Sequence, residues 1–148
     1  MITIREWTEK DVPSVAVLER ACFSDPWTME MIKSEFARPD FCGLIAEENE
    51  KPIGFIFGTL LFEDAEIAKV AVLNECRGKG YGKQLVESFF DAVIKGGARR
   101  IFLEVRPSNE AALRLYLGKG FHKLRLRKRY YADGEDALEM LKDLYPDD

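Results

Sequence analysis

AKVAVLNECRGKGYGKQL, residues 68 to 85, runs from an apolar stretch into three glycines at alternate positions. Gly78, Gly80 and Gly82 sit among Arg77, Lys79 and Lys83. Behind them Leu85, Val86, Phe89, Phe90, Val93 and Ile94 recur at helical spacing over residues 82 to 95, and Gly96-Gly97 closes that segment. Strand, glycine turn, helix is therefore the reading. Glycine repeated in this way brings backbone close to something. A helix beginning near residue 80 presents unpaired N–H groups and the positive end of its dipole, and the basic residues add charge. The turn is a candidate cradle for a pyrophosphate.

Working outward, ITIREW reads as a strand, and Thr8 as the cap of a helix carrying Val12, Val15, Ala16, Leu18 and Glu19. FSDPW, residues 23 to 27, breaks that helix, and a second spans roughly 28 to 37, before Pro39. FCGLIAEE and PIGFIFGTLLF read as strands around the turn residues ENEK, and AEIAKVAVL as a third. Beyond the glycine turn, RRIFLEV is a buried strand. SNEAALRLYLGKGF is a Ser-capped helix closed by Gly118 and Gly120. FHKLRLRKRYYADGEDALEMLKDL is two strands joined by a turn containing Asp133-Gly134. The order βααβββαβαββ implies an α/β (α+β) domain over residues 1 to 148. Its mixed, mostly antiparallel central sheet has about seven strands, flanked by about four helices, with one parallel crossover between AKVAV and IFLEV.

Composition narrows the classes. The chain has 148 residues, 47% hydrophobic and 32% charged, with a net charge of −4. General nucleic-acid binding would show a basic excess, so no nucleic-acid partner is expected. KLRLRKR, residues 123 to 129, alternates with period two and reads as a solvated strand face. No apolar run approaches the ~20 residues that span a bilayer, so no membrane partner is expected. MITIREWTEKDV lacks the apolar stretch of a secretory signal. Cys22, Cys42 and Cys76 form no CxxC, and His122 is the single histidine. No metal site and no disulfide framework are expected, and a reducing cytoplasmic setting is.

Two familiar phosphate loops fail on spacing. The ATP-type loop GxxxxGK[ST] needs one more residue than separates Gly78 from Gly82, and a hydroxyl where Gln84 stands. The dinucleotide fingerprint GxGxxG would need glycine in place of Lys83. RGKGYG, residues 77 to 82, resembles instead the Q/R-x-x-G-x-G/A signature of the GNAT acetyltransferase superfamily, and the resemblance extends over essentially the whole chain. LEVRPSNEAALRLYLGKGF is similar to the family's fifth strand and fourth helix. RYYADGEDALEM is similar to N-terminal protein acetyltransferases, both the RimI type, which acts on the N-terminal alanine of a ribosomal protein, and the archaeal and eukaryotic catalytic subunits.

The resemblance implies a GNAT acetyl-CoA-binding fold and a transfer of acetyl from acetyl-CoA to a protein N-terminus, directly within a ternary complex. It implies that Arg77, Gly78, Lys79, Gly80, Tyr81, Gly82 and Lys83 hold the pyrophosphate. Val70, Ala71 and Val72 would offer backbone hydrogen bonds to the pantetheine arm and the acetyl carbonyl, and Asn109 a further contact with the cofactor. Glu104, at the end of IFLEV, would be the general base, and Tyr116 the acid at the sulfur. Phe23 and Trp27, with Tyr130 and Tyr131, would wall the acceptor. Each of these has a plainer alternative: Glu104 a surface carboxylate, Tyr116 and the aromatics ordinary core, Val70 to Val72 plain buried strand. Asp133, Glu135 and Asp136 read best as a charged turn. An acyl-cysteine route would need a paired base. A small-molecule or lysine N-acetyltransferase of the same fold, or a non-catalytic acyl-CoA-binding adaptor, stays open, as does the oligomeric state.

Overall fold

A computed structural model describes residues 2–145, so Met1 and the last three residues of the expected 1–148 domain lie outside the described residues. Seven strands form one sheet in the order β1-β2-β3-β4-β5-β7-β6. They are β1 (Ile2–Glu6), β2 (Phe41–Glu48), β3 (Lys51–Leu61), β4 (Asp64–Val72), β5 (Arg100–Val105), β6 (His122–Arg127) and β7 (Ala137–Asp143). The helices are α1 (Val12–Cys22), α2 (Met29–Phe36), α3 (Tyr81–Lys95) and α4 (Glu110–Gly118). Among the described strands only β4 and β5 run parallel, with α3 as their crossover. The order and the single crossover are those read from the sequence.

Apolar residues of opposite parity on the strands feed two cores. On one face α3 buries Leu85, Val86, Phe89 and Val93 against Ile56, Ile101, Leu103 and Met140. On the other, α1 and α2 bury Val15, Leu18 and Ile32 against Trp7, Phe55 and Phe57. Each such side chain contributes about 1.5–3 kcal/mol by leaving water. The indole N–H of Trp7 is satisfied by the Leu44 carbonyl at 2.9 Å.

The feature that makes a site is a divergence of strands. β4 pairs with β5 only from Asp64 to Ile67, while β4 runs on to Val72 and β5 to Val105. At this point the β3–β4 ladder slips: Phe57 faces Lys69 but Gly58 faces Ile67. The extra residue, Ala68, bends β4 away, as bulges do. Gly58 permits it, because a Cβ there would lie 1.7 Å from the Glu66 carbonyl oxygen. Beyond Ile67 the β5-facing backbone of β4 has no strand partner among the described residues, and its polar groups face a gap.

Two local expectations are corrected. Thr8 opens a short 3-10 turn (Glu9–Asp11) rather than α1 itself, which starts at Val12 with a proline in its first turn. Asn109, not Ser108, caps α4: its side-chain oxygen accepts from Ala112 N at 3.1 Å, while Ser108 N donates to Glu135 Oε2 at 3.0 Å. The expected turn at Asp133-Gly134 is present, with Gly134 N donating to the Tyr131 carbonyl at 2.9 Å, inside a β6–β7 connection over residues 128 to 136.

Candidate active site

Two cavities open along the diverging strands and meet across β4. One, of about 390 Å³, includes Phe23, Trp27, Lys69, Glu104, Tyr116 and Tyr131 in its wall. The other, of about 550 Å³, runs from Val70, Ala71 and Val72 over the glycine turn to the first turn of α3. Phe23, Val70, Asn109 and Ala112 border both.

The second cavity is built from backbone. Gly78 and Gly80 have φ of 81° and 80°, the left-handed region, and among the described residues no atom beyond the glycine and its chain neighbours lies within 4 Å of where a Cβ would stand on either. Their lack of a side chain thus leaves open space, not a packed contact. Gly80 is the residue before α3, and no side chain among the described residues caps that helix. The N–H groups of its first turn are left for an outside acceptor, at the positive end of a fifteen-residue helix. Arg77 and Lys83 line the cavity. Arg77 also donates from Nε to the Val72 carbonyl at 3.0 Å, tying the turn to the strand end. Lys79 is not among the lining residues; its ammonium stands 5.9 Å from the centre of the Tyr81 ring. The Tyr81 phenol donates to Glu48 Oε2 at 2.8 Å, so its side chain anchors α3 to the end of β2 and its backbone belongs to the turn. A pyrophosphate-bearing ligand fits this donor set, with no Cβ in its way.

The first cavity is built from side chains. Glu104 is carried by β5 just beyond the last β4–β5 pair, its side chain 22% exposed. Arg127 Nε lies 3.9 Å from its Oε1. The nearby Glu104 carboxylate raises the Tyr130 phenol above its ordinary pKa, with burial adding to it. Tyr130 is half exposed and is not part of the cavity wall, but packs edge-on against Tyr131, which is. Tyr116, on α4, is 5% exposed and meets Phe121 edge-on, yet still borders the cavity. Burial drives its phenol pKa well up, so it holds its proton throughout the physiological range. Core packing and cavity lining thus hold together for this residue.

Several side chains matter that the sequence reading did not single out. Arg106 donates to Asp133 at 2.8 Å and Glu135 at 3.0 Å and lies 4.0 Å from the centre of the Tyr131 ring. It pins the 128–136 loop to the end of β5. Asp136 accepts from Arg129 N at 2.9 Å. The three acids therefore act within the turn, as the charged-turn reading has it. Glu19 and Lys69 form an ion pair at 2.7 Å beside Phe23 and Trp27. The sequence signal was present: a lysine inside the buried run AEIAKVAVL, and a glutamate on the apolar side of α1.

Cys22 and Cys76 border the second cavity, and Cys42 lines neither. The Cys22 thiol is pushed up by burial, while His122 lies exposed on β6. Among the described residues no group of three or more His, Cys, Asp or Glu side chains could hold a metal ion, and no helix is long and apolar enough to cross a membrane.

A cradle at a glycine turn beside a splayed parallel pair is what the RGKGYG reading requires, and residues 12–121 match the Acetyltransferase (GNAT) family. The chain belongs to that family. It is 34% identical over 140 residues to an uncharacterized N-acetyltransferase of Methanocaldococcus jannaschii, covering 94% of this chain and 90% of that protein. It is 30% identical over 143 residues to the [ribosomal protein bS18]-alanine N-acetyltransferase of Escherichia coli K12, covering 95% and 96%. The crystal structure of the Escherichia coli ribosomal-protein-S18-alanine N-acetyltransferase superposes with a TM-score of 0.92 at 29% identity over 97% of this chain and 94% of that one. A chain of the NatC complex bound to Gag peptide and CoA superposes with a TM-score of 0.84 at 27% identity, covering 97% and 98%. The protein is an N-acetyltransferase of the GNAT fold.

Proposed function

We propose that this enzyme moves an acetyl group from acetyl-CoA to the free α-amine at a protein N-terminus, with the N-terminal alanine of a ribosomal protein as the leading acceptor. The carrying observation is that Glu104 and Tyr116 line one cavity while the glycine cradle lines the other, and the two meet at Val70 and Asn109. Acetyl-CoA supplies an activated thioester. The amides of residues 78 to 83, with Arg77 and Lys83, would take its pyrophosphate, and the unpaired edge of β4 from Val70 to Val72 its pantetheine arm. Those residues suit this group without a metal ion.

Glu104 removes the proton from the attacking amine, directly or through a water, and Tyr116 holds a proton for the departing sulfur. An α-amine has a pKa near 7.7–8.0, against about 10.4 for lysine, so at pH 7 roughly a tenth of it is already neutral and only about one part in two thousand of lysine. A single carboxylate with modest basicity suffices for such an acceptor, adding typically ~10²–10⁴ in rate. The aromatic faces of Phe23, Trp27 and Tyr131 give an extended peptide apolar walls, with polar tips to orient its backbone. The likeness to the bacterial alanine acetyltransferases and to the NatC chain supports a protein acceptor.

The test is thiol release from acetyl-CoA with short peptides beginning Ala, Ser, Met, Asp or Glu. N-blocked lysine peptides and polyamines serve as controls. Turnover that requires a free α-amine and is fastest with alanine is the expected result. Turnover confined to polyamines or blocked lysine peptides would overturn the acceptor class and leave the cradle reading intact.

A further inference from the structure

Glu19 lies in the last turn of α1 with no exposed surface. A buried carboxylate is costly unless it is paired, and removing the partner of such a pair costs far more than never having made it. Glu19 Oε1 accepts two bonds: from Trp27 N at 2.7 Å and from Lys69 Nζ at 2.7 Å. Oε2 is buried and has no hydrogen-bond partner among the described residues. The pair thus forgoes the full hydrogen bonding that would make a buried ion pair stabilising in its own right. What it secures is the position of other groups.

Those groups are the acceptor walls. Trp27 N belongs to the segment between α1 and α2, which carries no regular structure to hold it. The Lys69 ammonium stands 4.3 Å from the centre of the Phe23 ring and 5.3 Å from that of Trp27. Cations placed over aromatic faces in this way attract them. Lys69 is also the residue of β4 next to Val70, at the slip in the ladder where the strands part. One buried charge on α1 therefore fixes a lysine on β4, a backbone amide of the loop and two rings of the same cavity. The side chain of Lys69 is 17% exposed and reaches that cavity.

We propose that Glu19 and Lys69 are positioning residues for the acceptor, a paired latch that sets the Phe23–Trp27 wall before the acceptor arrives. The proposal rests on the first cavity being the acceptor cleft. Ordering a wall in advance lowers the entropic cost of binding, so the latch should act on acceptor affinity. It should leave the acetyl-CoA cradle and the acid–base pair alone.

The experiment uses the full chain and four proteins: wild type, Glu19→Gln, Lys69→Met and the double variant. Steady-state kinetics with an alanine-initiated peptide is one arm. Amide hydrogen exchange of residues 23 to 27 is the other, and it needs no acceptor. Glu19→Gln keeps an oxygen for Trp27 N, and Lys69 can extend into the cavity, so this variant should fold even if Lys69→Met does not. Expected for Glu19→Gln is an acceptor KM raised about tenfold or more, with kcat and the acetyl-CoA KM within about twofold, and exchange faster by a similar factor in 23–27 but not in α3. In the double variant the acceptor KM should lie well below the product of the two single effects, because neither charge is left unpaired.

Unchanged acceptor KM and unchanged exchange in Glu19→Gln would overturn the latch. So would equal rises in both KM values, which would mark a general loosening of the fold. Should wild type accept only polyamines or blocked lysine peptides, the α-amine reading fails. The exchange arm, and the KM of whichever amine is taken, then decide the latch separately.

Discussion

The two halves of the site are made in opposite ways. The cradle is contiguous: Val70 to Lys83 supply strand edge, glycine turn and helix start, and its donors are mostly main chain. The proposed acceptor cleft draws on segments from Phe23 to Tyr131, and its shape depends on side-chain pairs: Glu19 with Lys69, and Arg106 with Asp133 and Glu135. A ligand read by backbone can be kept while nearly every side chain changes. A ligand read by side chains can be exchanged by altering a few of them. On the proposed assignment, the architecture holds the donor fixed and leaves the acceptor open to revision.

The largest effect should come from an attack on the cradle. Gly80→Val places a branched side chain in the space left for the ligand and asks it to hold φ near 80°. The backbone strain is about 1–2 kcal/mol, and the protein has no atoms there to clash with, so the chain should fold with a modestly lower Tm. Calorimetry should detect no acetyl-CoA binding. Retained binding would mean that the ligand lies elsewhere.

Next come the two groups assigned to proton transfer, which should separate by pH. Glu104→Gln should lower kcat/KM by roughly 10²-fold at pH 7, and the deficit should shrink toward pH 9, where the α-amine is neutral without help. Tyr116→Phe should cost a similar factor in kcat with acetyl-CoA affinity nearly intact. Its deficit should be constant from pH 6 to 9, because burial holds the phenol protonated throughout that range. Thiol-release kinetics across pH checks both. Parallel profiles for the two variants would break the assignment of separate roles.

The same contrast explains what the sequence reveals. The cradle is legible because its parts are neighbours in the chain, and alternate glycines before an amphipathic segment have few other uses. The strand order and the single crossover follow from the sequence of apolar runs. Glu104 stands out as a carboxylate closing an apolar strand. The latch is hidden because Glu19 and Lys69 lie fifty positions apart and meet only through the packing of α1 on β4. Local patterns also mislead where a distant partner intervenes. Ser108 looks like the cap of α4, but Glu135 takes its amide and Asn109 does the capping. The turn at Asp133-Gly134 is legible, but the Arg106 contacts that hold its acids come from outside it and are not.

The smallest effect should come from an ion pair just before the helix that carries the latch and outside the cleft. At the approach to α1 the Asp11 carboxylate accepts two bonds from the Arg5 guanidinium, both at 2.8 Å, and one from Thr8 N at 2.6 Å. The Arg5 bond, foremost, holds its pKa down to about 2. A carboxylate whose pKa is lowered by folding stabilises the fold above its unfolded value, about 3.9, and loses that contribution as pH falls through the folded one. Arg5 is partly exposed, so solvent screens the pair, and Asp11→Asn should cost about 1–2 kcal/mol at pH 7. That is roughly 2–4 °C of Tm per kcal/mol for a chain of this size. The gap to wild type should close between about pH 4 and pH 2. Neither acetyl-CoA affinity nor acceptor KM should move, since no atom of this pair borders either cavity. If acceptor KM rose here as it should in Glu19→Gln, general loosening of α1 would account for both. The position of Glu19 against the loop would then have no special part in acceptor binding.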